Sequence, residues 1–269
     1  MNVVQAVVLG IVEGITEFLP VSSTGHLLVT ERLLGLDVGS DALTGFTAVV
    51  QIGAILAAVA YFFRDIVGLV GSFFRGLAGR RDGDFRFAVA VLIGSVPIAL
   101  VGFALKDVVK DLQALLVVGI GLIAWSPVMV LAERRAAQDR EERSLTYRDA
   151  LVIGGAQCLA LVPGVSRSGA TISTGLLRGL DRVSATRLSF LLGIPALVGA
   201  GLYELKDATK GGASTGAIAL ATVVAFAVAY ASIAFLLRFV SSHRISAFVP
   251  YRVALGVVII AAVLIARAT

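Results

Sequence analysis

The chain has little of what a water-soluble protein requires. Only 15% of its 269 residues are charged, whereas an ordinary soluble domain has about 25%. It has a single cysteine, Cys158, which excludes an internal disulfide and any metal cluster built on cysteines. A soluble globular fold is excluded as well, because so few polar residues cannot cover the apolar remainder.

Apolar residues are what the chain has in abundance. Hydrophobic residues make up 58% of it, and the mean hydropathy is +0.94. They form long blocks separated by short charged loops, which is typical of several membrane-spanning helices. The 29 glycines suit the close packing of helices in lipid. Six blocks are long enough to span, at about residues 43–63, 87–105, 113–132, 187–205, 217–237 and 253–267.

Two further apolar stretches, 2–36 and 150–180, are each interrupted near the centre by Pro, Gly, Ser and charged or polar residues. The run from Val3 to Phe18 gives only about 24 Å of helix at 1.5 Å per residue, and Pro20 then ends it. Broken backbone at membrane depth is tolerated only where it is buried in protein or lines a cavity. We therefore predict that each stretch is a re-entrant helical hairpin, which enters the membrane, breaks near its middle and returns.

Basic residues are distributed unequally between the two predicted sides of the membrane. Four loops on one side carry sixteen basic residues, Arg252 among them, and the opposite side carries six, including Lys210. Because cytoplasmic loops collect Lys and Arg, we place both termini and the mouth of the first hairpin outside and the mouth of the second in the cytoplasm. The net charge of +5 then reflects orientation and not nucleic-acid binding. The four basic loops are 64–86, 133–149, 178–187 and 238–252.

An internal repeat relates the two halves at an offset of 144 residues. AVVLGIVEGITEFLPVSSTG, from Ala6, aligns with ALVIGGAQCLALVPGVSRSG, from Ala150. Each half holds one hairpin and three spans, and because three is odd the second half is inverted relative to the first. We therefore predict an all-α polytopic membrane protein of one integral domain, with six transmembrane helices and two re-entrant hairpins in an inverted repeat. Repeat 1 covers about 1–135, repeat 2 covers about 145–269, and the hairpin tips meet near the membrane midplane.

The first hairpin tip carries an unusual number of polar groups for an apolar segment. A carboxylate at a helix centre costs at least about 2.5 to 3.5 kcal/mol on insertion scales, so a functional role is the default. Glu13 and Glu17 share one helix face and repel each other, so that one holds a proton or both share a cation. The alternative is a buried pair satisfied by hydroxyls and Arg. The polar residues of this tip are Glu13, Glu17, Ser22, Ser23, Thr24 and His26.

Both tips have the features of an anion site. After each proline the helix can restart with a serine N-cap, Ser22 or Ser23 in the first tip and Ser166 in the second, so that free amides and the positive dipole end point into the tip. Arg167 adds a forked cation suited to phosphate oxygens, and Thr171 lies on the same helix face. The plainer alternative is that Arg167 only pairs with Glu17.

Ser23 and His26 lie three residues apart at the start of the second helix of the first hairpin. On that helix His26 can reach the Ser23 hydroxyl, and a serine, a histidine and carboxylates together form an activated nucleophile. The alternative is a histidine that is only a satisfied core residue. The sequence therefore predicts Ser23 as nucleophile and His26 as its base.

The motifs EGITEFLPVSSTGH at 13–26 and PGVSRSGAT at 163–171 resemble the two signature motifs of the bacitracin-resistance type undecaprenyl-diphosphatases. The resemblance covers the whole chain. It implies an enzyme of the bacterial inner membrane that converts undecaprenyl diphosphate to the monophosphate and so recycles the lipid carrier of cell-wall synthesis. By resemblance, the active-site positions are Glu13, Glu17, Ser23, His26, Ser166, Arg167 and Thr171. We predict that the substrate's phosphates are bound by Ser22, Thr24, Ser166, Arg167, Ser168 and Thr171. The family is also associated with a divalent cation, Mg²⁺ or Ca²⁺, for which Glu13 and Glu17 offer hard oxygen ligands.

The predicted mechanism has Arg167 and the hairpin amides hold the diphosphate while Ser23, activated by His26, attacks the terminal phosphorus. Glu17 orients His26 or the metal, and Glu13 supports Glu17. Direct attack by water is the alternative route. A second class of function is a polyprenyl-phosphate transporter or flippase, since broken helices in inverted repeats are common in transporters. A third is a lipid-binding scaffold. The expected partners are a polyprenyl diphosphate and membrane lipids, without nucleic acid, and a homo-oligomer is left open.

Overall fold

The computed structural model describes residues 1–208 and 214–268, so that Lys210 lies outside the described residues. Within these ranges the chain is helical and forms no β-strand beyond an isolated bridge between Arg140 and Leu180. The α-helices in these ranges are α1 (Val3–Thr16), α2 (Ser23–Leu33), α3 (Asp41–Tyr61), α4 (Phe63–Leu77), α5 (Gly83–Ala104), α6 (Lys106–Asp111), α7 (Leu115–Arg135), α8 (Tyr147–Gln157), α9 (Arg167–Leu177), α10 (Arg182–Ala208), α11 (Thr215–Val240) and α12 (Val249–Ala268).

Several helices are long and apolar enough to cross a membrane, which makes the chain a multi-pass membrane protein. Five such segments lie in the described ranges, and four of them match a predicted span to within four residues at each end. The fifth ends where predicted, at Arg267, but begins at Ile245, eight residues before the predicted start. The predicted span 187–205 lies inside α10, a 27-residue helix that is not among the five. The five are Ala42–Tyr61, Gly83–Ala104, Leu115–Arg135, Thr215–Val240 and Ile245–Arg267.

Two helices form where the sequence predicted only connecting loops. The loop predicted over 64–86 contains most of α4, a 15-residue helix that packs against α5 and leaves Val67, Val70 and Phe74 exposed. The short helix α6 lies between the spans α5 and α7. Both are too short to cross a bilayer, which needs about 20 residues of helix, and therefore neither changes the number of spans.

The two interrupted stretches are broken helices with matching geometry. A first break (residues 17–22) joins α1 to α2, and a second break (residues 158–166) joins α8 to α9 through a 3₁₀ turn, Cys158–Leu161. The helices after the breaks, α2 and α9, both have 11 residues and begin and end 144 positions apart. Ser22 and Ser166, also 144 apart, are their N-caps, and each adopts an unusual positive φ, of 76° and 73°. The predicted serine caps are confirmed.

Tertiary packing encloses the second broken helix. α9 lies among α7, α8 and α10, while α1 packs against α2, α3 and α11, and α12 lies on α7. Phe18, directly after Glu17 in the first break, meets Phe190 of α10 edge-on with ring centroids 5.3 Å apart. Both side chains are buried in the main apolar core. This packing holds the first break inside the helix bundle, next to the second.

Ion pairs tie the basic loop between α7 and α8 to the ends of neighbouring helices. Asp149 is buried and accepts from Arg140 at 2.9 Å and from Arg178 at 2.7 Å. Glu142 lies 3.0 Å from Arg187 at the start of α10. Burial raises the pKa of the Glu142 carboxyl, although the Arg187 guanidinium acts in the opposite direction. These pairs keep the loop side of α8, α9 and α10 in register with one another.

Candidate active site

The two breaks meet at one cavity of about 260 Å³. Ser23 and Arg167 both line it, as expected if the two breaks lie side by side. The remaining lining is mixed, with polar residues from the breaks on one side and Ile98, Leu161 and Leu197 on the other. Six of the predicted site residues face this space: Glu17, Ser22, Ser23, Thr24, Ser166 and Arg167.

Glu17 connects the predicted nucleophile to the predicted phosphate-binding cation. The Ser23 hydroxyl donates to Glu17 Oε2 at 2.6 Å, and Arg167 Nη2 donates to Glu17 Oε1 at 3.2 Å. Arg167 also donates from Nη1 to the Ser189 carbonyl at 3.2 Å. Its buried Nε has no partner among the described residues. The pairing of Arg167 with Glu17 that the sequence left as the plainer alternative therefore exists, and the guanidinium also lines the cavity that Ser23 faces.

Side chains and main chain of the two breaks are hydrogen-bonded to each other. The Ser22 hydroxyl accepts from the Gly25 amide at 3.4 Å and from the Gly164 amide at 3.2 Å. Ser168 donates to the Leu19 carbonyl at 3.0 Å. The prediction that the two tips come together is therefore confirmed, and it extends to direct bonds between residues 142 and 149 positions apart.

His26 lies near the nucleophile but is bonded to other groups. Its Nδ1 is 2.7 Å from the Ser22 carbonyl, and its Nε2 is 2.6 Å from the Tyr251 hydroxyl, whose ring stacks on the imidazole. Because a carbonyl only accepts, Nδ1 carries the proton and Nε2 accepts from Tyr251. The expected contact between His26 and Ser23 is not formed. The hydrogen-bond acceptor of the Ser23 hydroxyl is the Glu17 carboxylate.

Ser168 and Thr171, two predicted phosphate ligands, are directed into the protein. Both are buried, and neither lines the cavity. The Thr171 hydroxyl lies 2.8 Å from the Arg167 carbonyl and 2.6 Å from the Ser189 hydroxyl of α10. Their hydroxyls therefore bond α9 to neighbouring segments and do not line the cavity.

Comparison with known proteins gives this geometry a family. Residues 6–258 match the family model described as Bacitracin resistance protein BacA. The chain belongs to the BacA family. It is 54% identical over 267 residues to an undecaprenyl-diphosphatase of Acidothermus cellulolyticus, covering 97% of each chain. It is 53% identical over 264 residues to undecaprenyl-diphosphatase 1 of Streptomyces coelicolor, covering 96% of this chain and 95% of the relative. An undecaprenyl-diphosphatase of a Mycobacterium species is 47% identical over 268 residues.

The BacA-family cavity also contains residues that the motifs did not indicate. Gln51 of α3 and Gln113, just before α7, line it beside the two breaks. Gln51 had a readable signal, since it is a polar side chain within the apolar span predicted at 43–63. Tyr251 had none, because its contact with His26 joins residues 225 positions apart.

Arg252 corrects the assignment of the basic loops in this BacA-family chain. The sequence placed it in the cytoplasmic loop 238–252, but the structure places it in α12 with no exposed surface. Its guanidinium donates to the carbonyls of Pro20, Gly164 and Val165, at 2.8, 2.9 and 3.2 Å. In sequence, a charged residue at the start of a helix cannot be distinguished from a charged residue of the preceding loop. Only the fold shows the direction in which its side chain points.

The carboxylates at the BacA-family site fit a divalent cation whose remaining ligands would be oxygens of the substrate. Among the described residues, no group of three or more His, Cys, Asp and Glu side chains is arranged to hold a metal ion. Mg²⁺, however, is usually bound by one or two carboxylates together with substrate phosphates and water. Glu13 and Glu17 are both buried one helical turn apart, and Glu17 faces the cavity. This donor set suits an ion that arrives with a phosphorylated ligand.

Proposed function

We propose that this chain hydrolyses undecaprenyl diphosphate to undecaprenyl phosphate and inorganic phosphate and so recycles the lipid carrier of cell-wall synthesis. The observation that carries the proposal is the contact of one carboxylate, Glu17, with both a serine hydroxyl and an arginine at the meeting point of two helix N-termini. The names of the BacA-family relatives support the choice of substrate.

The substrate's diphosphate is held by positive groups that converge on the cavity. The first amides of a helix have no partner within the helix, and the helix dipole adds partial positive charge at the same end. Both α2 and α9 begin at the cavity with Ser22 and Ser166 as caps, and Arg167 adds a full charge. Two helix starts and a guanidinium together favour a group with several negative oxygens.

Ser23 attacks the terminal phosphorus, and Glu17 takes the proton from its hydroxyl. The bond from Ser23 Oγ to phosphorus forms while the bond from phosphorus to the bridging oxygen breaks, and undecaprenyl phosphate leaves with that oxygen. Glu17 gives this proton up to the departing lipid phosphate. Water then attacks the phosphoserine and loses a proton to Glu17, which passes it to the Ser23 oxygen as inorganic phosphate is released. Arg167 stabilises the charge on the phosphoryl oxygens in both steps, in an enclosed site where such donors act strongly.

Glu13 and Glu17 would hold a divalent cation at the edge of the diphosphate. The ion would neutralise part of the charge on the phosphate oxygens and would lower the repulsion between the two carboxylates. Treatment with a chelator followed by Mg²⁺ or Ca²⁺ tests this directly. We expect activity to fall and to return with the added ion, and full activity in excess chelator would refute a metal role.

The membrane arrangement that suits this chemistry has six spans and two re-entrant hairpins in an inverted repeat, within one domain of the inner membrane. The matching lengths, caps and φ angles of the two broken helices support it, and so does the length of α10. Both termini then lie on the periplasmic side, and the isoprenoid tail lies in lipid between helices. Reagents that label single introduced cysteines from one side, in a Cys158→Ser background, test the orientation of each loop.

Phosphate release by purified protein in detergent tests the function. We expect the wild type to release inorganic phosphate from undecaprenyl diphosphate and Arg167→Ala, with its fold verified by thermal unfolding, to lose about 100-fold to 1,000-fold in kcat. Hydrolysis needs no second compartment, whereas transport does. A wild-type protein that releases no phosphate but moves a labelled polyprenyl phosphate across vesicles would replace the proposal with the flippase. One that only binds the lipid would replace it with the scaffold.

A covalent phosphoenzyme separates the two chemical routes. Acid quenching during turnover of substrate labelled in the terminal phosphate should leave the label on Ser23. The matched variant is Thr24→Ala, which removes the neighbouring hydroxyl of the same cavity and should still form the phosphoenzyme. A fully active Ser23→Ala protein would favour direct attack by water.

A further inference from the structure

Arg252 is the largest fully buried side chain in the described part of the molecule, and it lies behind the anion site. Its guanidinium reaches both breaks at once, with Nη1 on the Pro20 carbonyl and Nη2 on the Gly164 and Val165 carbonyls. A buried charge is costly in a membrane protein, so a side chain of this kind calls for a role. The planar fork of arginine suits one residue to two separate loops, which the single nitrogen of a lysine cannot bridge.

The three carbonyls that Arg252 binds belong to peptide units at the floor of the proposed phosphate site. All peptide bonds among the described residues are trans, so the N–H that follows a carbonyl points in the opposite direction. Because the Val165 carbonyl faces Arg252, the Ser166 amide faces away from Arg252. Ser166 lines the cavity and caps α9, so that amide belongs to the donor set of the site.

The amides that follow the Pro20 and Gly164 carbonyls donate within the breaks, from Val21 to the Leu19 carbonyl at 2.8 Å and from Val165 to the Val162 carbonyl at 3.2 Å. The peptide unit that bears on the site is therefore the one between Val165 and Ser166, and its rotation would turn the Val165 carbonyl oxygen toward the cavity. A carbonyl carries partial negative charge and would repel phosphate where an amide attracts it. Local backbone strain favours such a rotation, since Ser166 has a φ of 73°, a sparsely populated conformation for a residue other than glycine. The hydrogen bonds to Arg252 therefore select one of two backbone arrangements, the one that suits an anion.

We propose that Arg252 is a positioning residue for the phosphatase reaction, which holds the main chain of both breaks with its carbonyls turned away from the diphosphate. This inference rests on the proposed function and adds to it a residue that does not touch the substrate. Arg252 acts through Pro20, Gly164 and Val165, whereas Arg167 acts on the phosphoryl group itself.

The test compares Arg252→Lys and Arg252→Gln with wild type in detergent, and it measures thermal unfolding, kcat, KM and inhibition by inorganic phosphate. The direct contacts between the breaks, such as Gly164 to Ser22, are retained in both variants, so we expect both to fold. We expect kcat/KM to fall about 100-fold, because a displacement of about 1 Å at a reacting site has that effect. Inhibition by inorganic phosphate should weaken at least about 10-fold, since loss of the Ser166 amide as a donor weakens anion binding. A role in folding alone would lower the unfolding temperature and leave phosphate inhibition of the folded protein unchanged.

Arg267→Lys, an exposed position on the same helix, is the matched control and should behave as wild type. Wild-type kinetics and wild-type phosphate inhibition in Arg252→Lys would overturn the inference while the proposed function stands. Failure of both variants to fold would also overturn it, because Arg252 would then be a residue of the fold. If wild type itself released no phosphate from undecaprenyl diphosphate, the proposed function would fail, and weaker binding of inorganic phosphate by the variants would still separate the two claims.

Discussion

The two broken helices share a backbone but carry different chemistry. Both restart at a serine with a positive φ whose hydroxyl accepts from a glycine amide three residues later. At equivalent positions, however, Ser23 stands opposite Arg167, Glu17 opposite Leu161, and His26 opposite Ala170. The first broken helix therefore carries a hydroxyl bonded to a carboxylate, and the second carries the cation. In the proposed mechanism, the repeat preserves the shape of an anion site while its side chains divide the catalytic tasks.

Burial separates the two broken helices further. Eight of the 11 residues of α9 are buried, but only three of the 11 residues of α2. The polar side chains Ser168 and Thr171 of α9 bond to neighbouring segments, whereas Ser23 and Thr24 of α2 face the cavity. The second broken helix is thus the more deeply buried of the two and presents Arg167 to the cavity, whereas the first presents hydroxyls and a carboxylate there.

Among the variants that compare the two breaks, the one that removes the proposed base of the first break should have the largest effect. We expect Glu17→Gln to lower kcat about 1,000-fold, because general base catalysis contributes about 100-fold to 10,000-fold and Ser23 loses its acceptor. The change keeps the shape of the side chain. Leu161→Met, at the equivalent position of the second break, is the control and should stay within about threefold of wild type. Phosphate release measures both, and equal losses would contradict a division of tasks between the breaks.

The next largest effect is expected at the glycine of the second break. A Cβ at Gly164 would lie 2.3 Å from the Val118 carbonyl oxygen of α7, and its φ is +95°. We expect Gly164→Ala to destabilise the protein by about 3 kcal/mol, from backbone strain and overpacking together. Gly35→Ala is the matched control, with a φ of +67° and open space around it, and should cost about 1 kcal/mol. Thermal unfolding in detergent compares them, and equal shifts would mean that contact with α7 contributes nothing.

Sequence reasoning identified the features that depend on local chemistry. Long apolar runs indicated the spans, Pro20 and Pro163 indicated the breaks, and the serine caps followed from the residues after them. These signals lie within a few residues of the structure they specify. The six site residues that line the cavity belong to the same class, since the breaks themselves direct them there.

Features that depend on distant parts of the chain could not be predicted. The Thr171 hydroxyl bonds to Ser189 of α10 and does not face the cavity. The partner of His26 is Tyr251, which belongs to the last helix. Arg252 was grouped with loop arginines because helix starts and loops have similar compositions. The hydrogen-bond partner of the Ser23 hydroxyl was also beyond the sequence, because Glu17 and His26 are both within reach until the fold orients them.

His26 provides a smaller and more specific test of how the first broken helix works. Because His26 bonds to the Ser22 carbonyl and to Tyr251 and not to Ser23, we expect His26→Asn to lower kcat only about 10-fold, the effect of a misaligned break. Tyr251→Phe should lower it about threefold or less, through loss of one partly exposed hydrogen bond. Steady-state phosphate release distinguishes these values from the loss in Glu17→Gln. A loss of about 1,000-fold in His26→Asn would restore His26 as the base.

The smallest effect is expected on stability, when each of the two serine caps is replaced by glycine. Glycine accepts a positive φ without strain and replaces a serine N-cap at a cost of only a few tenths of a kcal/mol, so Ser166→Gly should change stability by less than about 0.5 kcal/mol. Ser22→Gly should cost about 1 kcal/mol more, because Ser22 also accepts from the buried Gly164 amide, which would lose its partner. Thermal unfolding of the two variants side by side gives the difference. Equal stabilities would mean that the Ser22 bond between the breaks contributes nothing, and the breaks would then be held together by Ser168, Arg167 and Arg252.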